Sequence, residues 1–348
     1  MGSIRKHKGS WQGRYRGPDG RVRGKSFKRK ADAERWVRVG EASVVTGTWV
    51  DPAGGKTTFA AAVERWRPTT AALKPKSIDR HESSLTSHLL PRFGRRPIES
   101  IRKSDVRTLV ADMAAAGSAP GTIRNTVSTL SVVLEVCVED NLIASNPTDK
   151  VRLPRAARQE MDFLTAVEVE MVARTIRGGY GPWVRFMAYS GLRFGEASAL
   201  RMRDLDGPGA SVMVRESMSE VRGVISFGPT KNYQRRRVTV PRSIIEDLIE
   251  SVADRMFDSD ALVFQAPRGG ELRNGNMRAR FWYPATDRAL GRRPRIHDLR
   301  HTAVALAIAQ GAHAMAIKER MGHAEVTTTL GRYGHVLPSL EAQIVDGL

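Results

Sequence analysis

At 348 residues the chain exceeds one ordinary domain, and its 41% apolar content suffices for packed cores, so two or three domains are expected. Fifty-six Lys and Arg against 37 Asp and Glu leave a formal charge of +19, an imbalance that calls for a polyanionic partner. The lone cysteine, Cys137, excludes a disulfide framework, and with no run near the ~20 apolar residues that span a bilayer and no apolar signal core, a cytoplasmic, nucleoid-associated protein without membrane contact is expected.

Charge is densest at the start, where residues 1–30 carry 11 basic side chains and one acid, Asp19. Ile4–Lys8, Trp11–Tyr15 and Arg21–Phe27 read as short strands, with Pro18-Asp19-Gly20 as the turn between the last two. A helix should run from Ala31 through Val44 and end near Gly47. Trp11, Tyr15, Phe27 and Trp36 are the candidate core of this sheet-plus-helix module over residues 1–50. Arg14, Arg16, Arg21, Arg23 and Lys25 are then expected to face outward, where a strand ribbon can enter a DNA groove. Asp51–Gly55 has the composition of a linker. Gly55-Lys56-Thr57 imitates the end of a phosphate-binding loop, but Val50 stands where that loop needs its first glycine.

Residues 56–150 turn helical, with Phe59–Trp66, Lys76–Leu90, Lys103–Ala116 and Pro120–Asp140 as the elements. Leu85, Leu89 and Phe93, and again Val127, Leu130 and Leu134, fall on single faces and predict an all-α bundle. Asn146-Pro147 and Leu153-Pro154 break the pattern, placing a second linker near residues 147–162. The third segment, 158–348, mixes strands at Ala210–Glu216, Val221–Phe227 and Arg236–Val240 with helices at Ser243–Val252 and beyond Arg300. The fold class is therefore multidomain and mainly α with small β-sheets.

Four clusters in the last segment suggest chemistry. They are Ser190-Gly191-Leu192-Arg193-Phe194-Gly195-Glu196, then Gly228-Pro229-Thr230-Lys231 ahead of the basic strand Arg235-Arg236-Arg237, then His297-Asp298-Leu299-Arg300-His301-Thr302, and finally Met321-Gly322-His323 with Tyr333 ten residues on. Attack on a phosphodiester needs a nucleophile in line with the leaving oxygen and fixed positive charge around the non-bridging oxygens. A phenol among arginines and histidines in a basic chain suits that task.

In order and spacing these clusters resemble the boxes of tyrosine recombinases of the phage integrase type. The helical module resembles that family's core-binding domain and the N-terminal sheet its arm-binding domain. The resemblance implies a mixed α/β catalytic domain over 158–348 with a C-terminal interaction tail. In it Tyr333 attacks the scissile phosphate to give a 3′-phosphotyrosine and a free 5′-hydroxyl, while Arg193 and Arg300 clamp the non-bridging oxygens. Lys231 would protonate the leaving oxygen, His297 would act as general base or orient Tyr333, and His323 would hydrogen-bond the phosphate. Glu196 and His301 would support these groups, and Arg235 and Arg236 would contact DNA. The arginines and lysine supply the charge a metal would bring, so no metal and no cofactor are expected. The ester conserves the bond energy, which implies strand exchange without ATP. The partners implied are double-stranded DNA with core and arm attachment sites, a homotetramer on that DNA, a host DNA-bending protein and an excisionase. Leu337, Leu340, Ile344 and Val345 form an apolar face that would meet a neighbouring subunit. Heavy use of arginine, alanine and valine points to a GC-rich genome, such as an actinobacterial host or its phage.

Each residue alone has an ordinary reading. Tyr333 would be a half-buried aromatic, Arg193 a surface helix residue, Lys231 a turn lysine and His323 a helix-terminus histidine. His297 and His301 have the i, i+4 spacing of a zinc helix, yet Asp298 stands where that motif needs glutamate. Two other functions use the same scaffold, a relaxing topoisomerase and a non-catalytic DNA-binding regulator. The six candidate catalytic residues argue against the regulator, and the additional N-terminal module against the topoisomerase.

Overall fold

The basic N-terminal segment folds as a three-stranded antiparallel sheet, β1 (Ser3–His7), β2 (Ser10–Arg16) and β3 (Val22–Phe27), covered by helix α1 (Lys30–Val45). The structure is a computed structural model and describes residues 2–7, 9–155, 162–230 and 235–322. The chain divides into two compact units, Met1–Arg158 and Gln159–Leu348.

Strand register decides which cations of the small sheet point where. Gly13 pairs with Ile4 and Lys25, and Tyr15 with Arg23, so these residues share the face that receives α1. Arg5, Gln12, Arg14 and Arg16 line the opposite, open face. Gly40 permits the close approach of α1, since a Cβ there would lie 2.5 Å from the Tyr15 ring. The core differs from the expected aromatic set because Trp49, arriving after the helix, takes its centre with Tyr15 and Val37. The Trp49 indole donates to the Tyr15 hydroxyl at 3.1 Å. Trp11 and Phe27 stay half-buried at the rim. Arg23 likewise departs from the expected outward set. It lies 5.2 Å over the Trp49 ring and pairs with Asp19 and Asp51 at 2.9 and 3.0 Å.

Asp51–Gly55 is a packed connection and not a free linker. The Asp51 N–H donates to the Asn141 carbonyl at 2.8 Å, and Gly54 and Gly55 are buried. The bundle that follows contains α2 (Phe59–Trp66), α3 (Pro75–Ser84), α4 (Leu90–Phe93), α5 (Lys103–Ala115) and α6 (Pro120–Glu139). Helix α2 starts where the Thr58 hydroxyl accepts the Ala61 N–H, and α6 starts on Pro120, whose missing N–H costs nothing in a first turn. The helix expected over Lys76–Leu90 instead continues to Phe93 through a wide π turn at Leu85–Leu89. Pro91 explains it: the ring removes one i→i−4 bond, and the widened turn absorbs the steric conflict. Phe59, Leu85, Leu89, Phe93, Leu130 and Leu134 are fully buried. At about 1.5 to 3 kcal/mol per side chain they dominate the stability of this bundle.

The second unit is built around α8 (Gly181–Ser190), with α7 (Ala166–Thr175) entering through a Thr165–Glu168 capping box and the four-residue α9 (Phe194–Ala197) following. One small sheet has the order β4 (Leu205–Asp206), β5 (Ser211–Val214), β8 (Arg236–Thr239), and a separate hairpin joins β6 (Glu216–Val221) to β7 (Val224–Pro229). The hairpin corrects the expected strand over Val221–Phe227. Arg222 and Gly223 both have positive φ, 49° and 81°, and form the two-residue turn that hairpin twist favours. Helices α10 (Arg242–Ser251), α11 (Asn274–Asn276), α12 (Tyr283–Leu290), α13 (Asp298–Ala309) and α14 (Ala314–Met321) complete the unit. A second wide turn, Met277–Trp282, again precedes a proline, Pro284. Trp183 and Trp282 meet edge to face at 6.2 Å in the core. Among the described residues no helix is long and apolar enough to cross a membrane.

Candidate active site

Helix α8 ends on Gly191 in the left-handed region, φ 65°, and a Cβ there would lie 2.4 Å from the Met321 Cε. The chain turns sharply, and Arg193 becomes the extended N-cap of α9. Glu196, 1% exposed, accepts the Arg193 N–H at 3.0 Å and its Nη1 at 2.8 Å. From β8, Arg236 donates to both oxygens of the same carboxylate, at 2.7 and 3.3 Å. Burial alone would raise the Glu196 pKa, but the hydrogen bonds and charge of Arg236, with the charge and N–H of Arg193, outweigh it and hold the carboxyl at about 2.

Arg300 is 4% exposed on α13 and is held by main chain: its guanidinium donates to the carbonyls of Gly191 and Met321, each at 2.5 Å. It therefore ties the end of α8 to the end of α14. Asp298, 1% exposed, anchors the start of α13 by accepting from the Arg295 N–H and guanidinium. Thr302 accepts the Leu164 N–H at 2.9 Å, fixing the entry to the unit on the same helix. The rings of His297 and His301 meet edge to face at 5.1 Å. Desolvation first, then the charges of His301, Arg300 and Arg193, push the His297 pKa down to about 4 against a weaker opposing effect of Asp298. By surface area the His297 side chain is exposed, open to a substrate, and a pKa of about 4 leaves its imidazole neutral at pH 7.

Arg193, Glu196, His297, Arg300 and His301 are thus brought together from α9 and α13. Lys231, His323 and Tyr333, and the tail residues Leu337, Leu340, Ile344 and Val345, lie outside the described residues. The segments leading to them are anchored, since β7 ends at Pro229 and α14 closes at Gly322 with φ 61°. The two basic-strand candidates separate. Arg235 is exposed and lines a cleft of about 680 Å³ with Arg201, Arg203 and Arg215, whereas Arg236 is turned inward onto Glu196 and so does not present a free cation to DNA. In the N-terminal sheet Arg14 and Arg16 face the open side with Arg5 and Gln12, the last two unanticipated, and Arg21 is exposed beside the Asp19 turn. Lys25 leans over Phe27 on the other side. The Gly191 and Met321 carbonyls escape sequence reasoning because every residue carries one.

A buried carboxylate orienting one arginine, a second arginine held by carbonyls and a histidine with a depressed pKa are thus gathered in one mainly helical unit. Residues 158–339 match the Phage integrase family, and residues 59–153 match the Phage integrase central domain. The chain belongs to the phage integrase family and is a site-specific tyrosine recombinase that cleaves and rejoins DNA. It is 29% identical to an integrase of Mycobacterium phage D29 over 89% of this chain and 83% of that protein. Its fold resembles the Tn1549 transposon integrase in complex with a circular intermediate DNA, with a TM-score of 0.72 at 18% identity, covering 84% of this chain and 99% of that one. A lambda integrase tetramer bound to a Holliday junction gives a TM-score of 0.58 at 17% identity over 94% and 96% of the two chains.

Proposed function

We propose that this recombinase joins a circular phage or mobile-element genome to a host chromosome at attachment sites, and with an excisionase releases it. Tyr333 attacks the scissile phosphate, Arg193 and Arg300 hold the non-bridging oxygens, and Lys231 protonates the departing 5′-oxygen. His297, neutral at pH 7, can accept the phenolic proton or orient Tyr333, and His323 hydrogen-bonds the phosphate. Glu196 and His301 support these groups. The 3′-phosphotyrosine conserves the energy of the broken bond, so a 5′-hydroxyl of another strand can reseal it without ATP or a metal ion. Paired exchanges pass through a Holliday junction within a homotetramer, in which the tail beyond residue 336 packs on a neighbouring subunit. Residues 1–50 grip arm sites, 56–150 grip core sites, 158–348 perform the chemistry, and a host DNA-bending protein brings the two kinds of site together.

The observation that carries this reading is the convergence of Arg193 with His297 and Arg300, which lie more than 100 residues further along the chain, so that His297 feels both guanidinium charges. Donors aimed at charge that develops in a transition state are worth about 3 to 4 kcal/mol each. The test is a nicked core-site oligonucleotide incubated with the full chain in EDTA. A covalent adduct should form, and Tyr333→Phe should bind the duplex with unchanged affinity and form none. Adduct formation by Tyr333→Phe, or a strict need for metal, would overturn the assignment.

A further inference from the structure

Arg235, just before β8, and Arg237 within it are exposed, while Arg236 turns inward, where its side chain is 13% exposed. That guanidinium bonds both oxygens of Glu196 and donates Nε–H to the Arg320 carbonyl at 3.3 Å. Its Cδ, Nε and Cζ lie against Gly322, all 3.3 Å from where a Cβ would stand. Glu196 in turn holds the backbone and side chain of Arg193, and Met321, between Arg320 and Gly322, accepts from Arg300. Arg236 therefore spans the carboxylate that orients one arginine and the helix end that the other grips.

We propose that Arg236 is a positioning residue for strand cleavage: through Glu196 it fixes Arg193, and through the end of α14 it steadies Gly322 and the neighbouring Met321 carbonyl that Arg300 grips, with no contact to DNA. This rests on the recombinase reading above. Outer groups that lock the rotamer of a reacting side chain control rate without touching substrate. A merely structural arginine would depress folding and every step alike. A positioning one leaves two further marks. The charged groups facing Glu196 are Arg193 at the head of its own helix and Arg236 from β8, so without Arg236 burial is opposed by Arg193 alone. The carboxylate then takes up a proton at higher pH, and cleavage acquires an acid-side loss absent from the wild type. The second mark is epistasis, because the part of the effect transmitted through Glu196 cannot add to its removal.

Single-turnover adduct formation by the full chain on the nicked oligonucleotide, from pH 6.0 to 8.5, tests this. Arg236→Met should be slower by about 30-fold at pH 8.5 and by about a further tenfold at pH 6.0, with duplex binding by mobility shift within about twofold of wild type. Arg237→Met, on the exposed side of the same strand, should cleave at the wild-type rate. The double variant Arg236→Met with Glu196→Gln should lose much less than the product of the two single losses. A rate that parallels wild type across pH, or losses that multiply in the double variant, would overturn the proposal. Should Arg236→Met fail to fold, Arg236→Lys decides, since it keeps the charge without the two-oxygen fork: about fivefold slower is expected, and full activity at every pH overturns it. No adduct from the wild type, or one from Tyr333→Phe, would instead bring down the recombinase reading; a departure confined to the Arg236 series sinks this inference alone.

Discussion

Glu196→Gln removes a charge from a side chain that is 1% exposed and receives four donors, two from Arg193 and two from Arg236. An amide leaves one acceptor oxygen for them and turns an NH₂ toward guanidinium donors. The carboxyl titrates at about 2 in the fold against an ordinary 4.5, a preference for the ionised form of about 3 kcal/mol. The sign follows from the direction: a carboxylate with a depressed folded pKa contributes stability that is complete above pH 4.5 and is lost as pH falls toward 2. The variant should therefore cost the second unit about 3 kcal/mol at pH 7, and the gap to wild type should narrow by about 1.4 kcal/mol per pH unit below 4.5. Hydrogen exchange of α10 and α13 peptides in increasing urea, at pH 7.0 and 3.5, measures both numbers. A cost below about 0.5 kcal/mol at pH 7, or a gap that stays constant to pH 3.5, would show that the two arginines do not depend on this charge.

Arg14→Ala and Arg16→Ala should each weaken binding to an arm-type duplex and lower the slope of log affinity against log salt by about 1, while Arg23→Met, on the helix side of the sheet, should leave the slope alone. Filter binding between 50 and 200 mM salt would expose an error if all three slopes changed together. Adduct formation by the wild type should show no titration assignable to His297 between pH 6 and 8.5, because its pKa is depressed to about 4 and the ring stays neutral throughout. An inflection near pH 6.5 that His297→Gln removes would contradict the depressed pKa. Gly191→Ala should slow cleavage by about tenfold or more at unchanged DNA affinity, since a left-handed alanine costs roughly 1 to 2 kcal/mol and its Cβ would meet Met321, displacing the carbonyl that holds Arg300. Wild-type cleavage rates in Gly191→Ala would mean that this carbonyl does not set the arginine.

The bundle was legible because its helices carry both a 3.6-residue apolar period and start signals, as at Thr58 before Phe59 and at Pro120. The wide turns before Pro91 and Pro284 were not, since a π turn adds a residue without interrupting an apolar stripe. Trp49 escaped because it sits in no periodic element, and its burial depends on where the chain goes after α1. The small sheet misled in another way: cations occur on both of its faces, so alternation could not separate Arg14 from Arg23 without the register to Tyr15 and α1. Arg236 was readable in principle. It shares the period-2 face of buried Val238 and Val240, whereas Arg235, Arg237 and Thr239 alternate outward, and the overall basicity of the strand concealed that pattern.

Basicity does not by itself distinguish the site in a chain with 56 Lys and Arg. Arg185 and Arg293 each lie against a carboxylate, an arrangement that fixes local structure and cancels charge. The cluster around Glu196 is arranged differently. Asp298 is offset by Arg295, His297 is neutral, and Glu196 is one carboxylate shared by two arginines, while the Arg300 bonds to Gly191 and Met321 are to neutral carbonyls that leave its charge intact. Among the described residues, three guanidiniums, Arg193, Arg236 and Arg300, minus one carboxylate leave a net charge of two around Glu196. Under the proposed chemistry a phosphodiester carries one negative charge and its pentacoordinate transition state about two, so positive charge in excess of one would favour the transition state over the ground state. Sharing Glu196 is what makes that balance possible. A second carboxylate devoted to Arg236 would lower the excess by one, and the preference for the transition state would shrink with it.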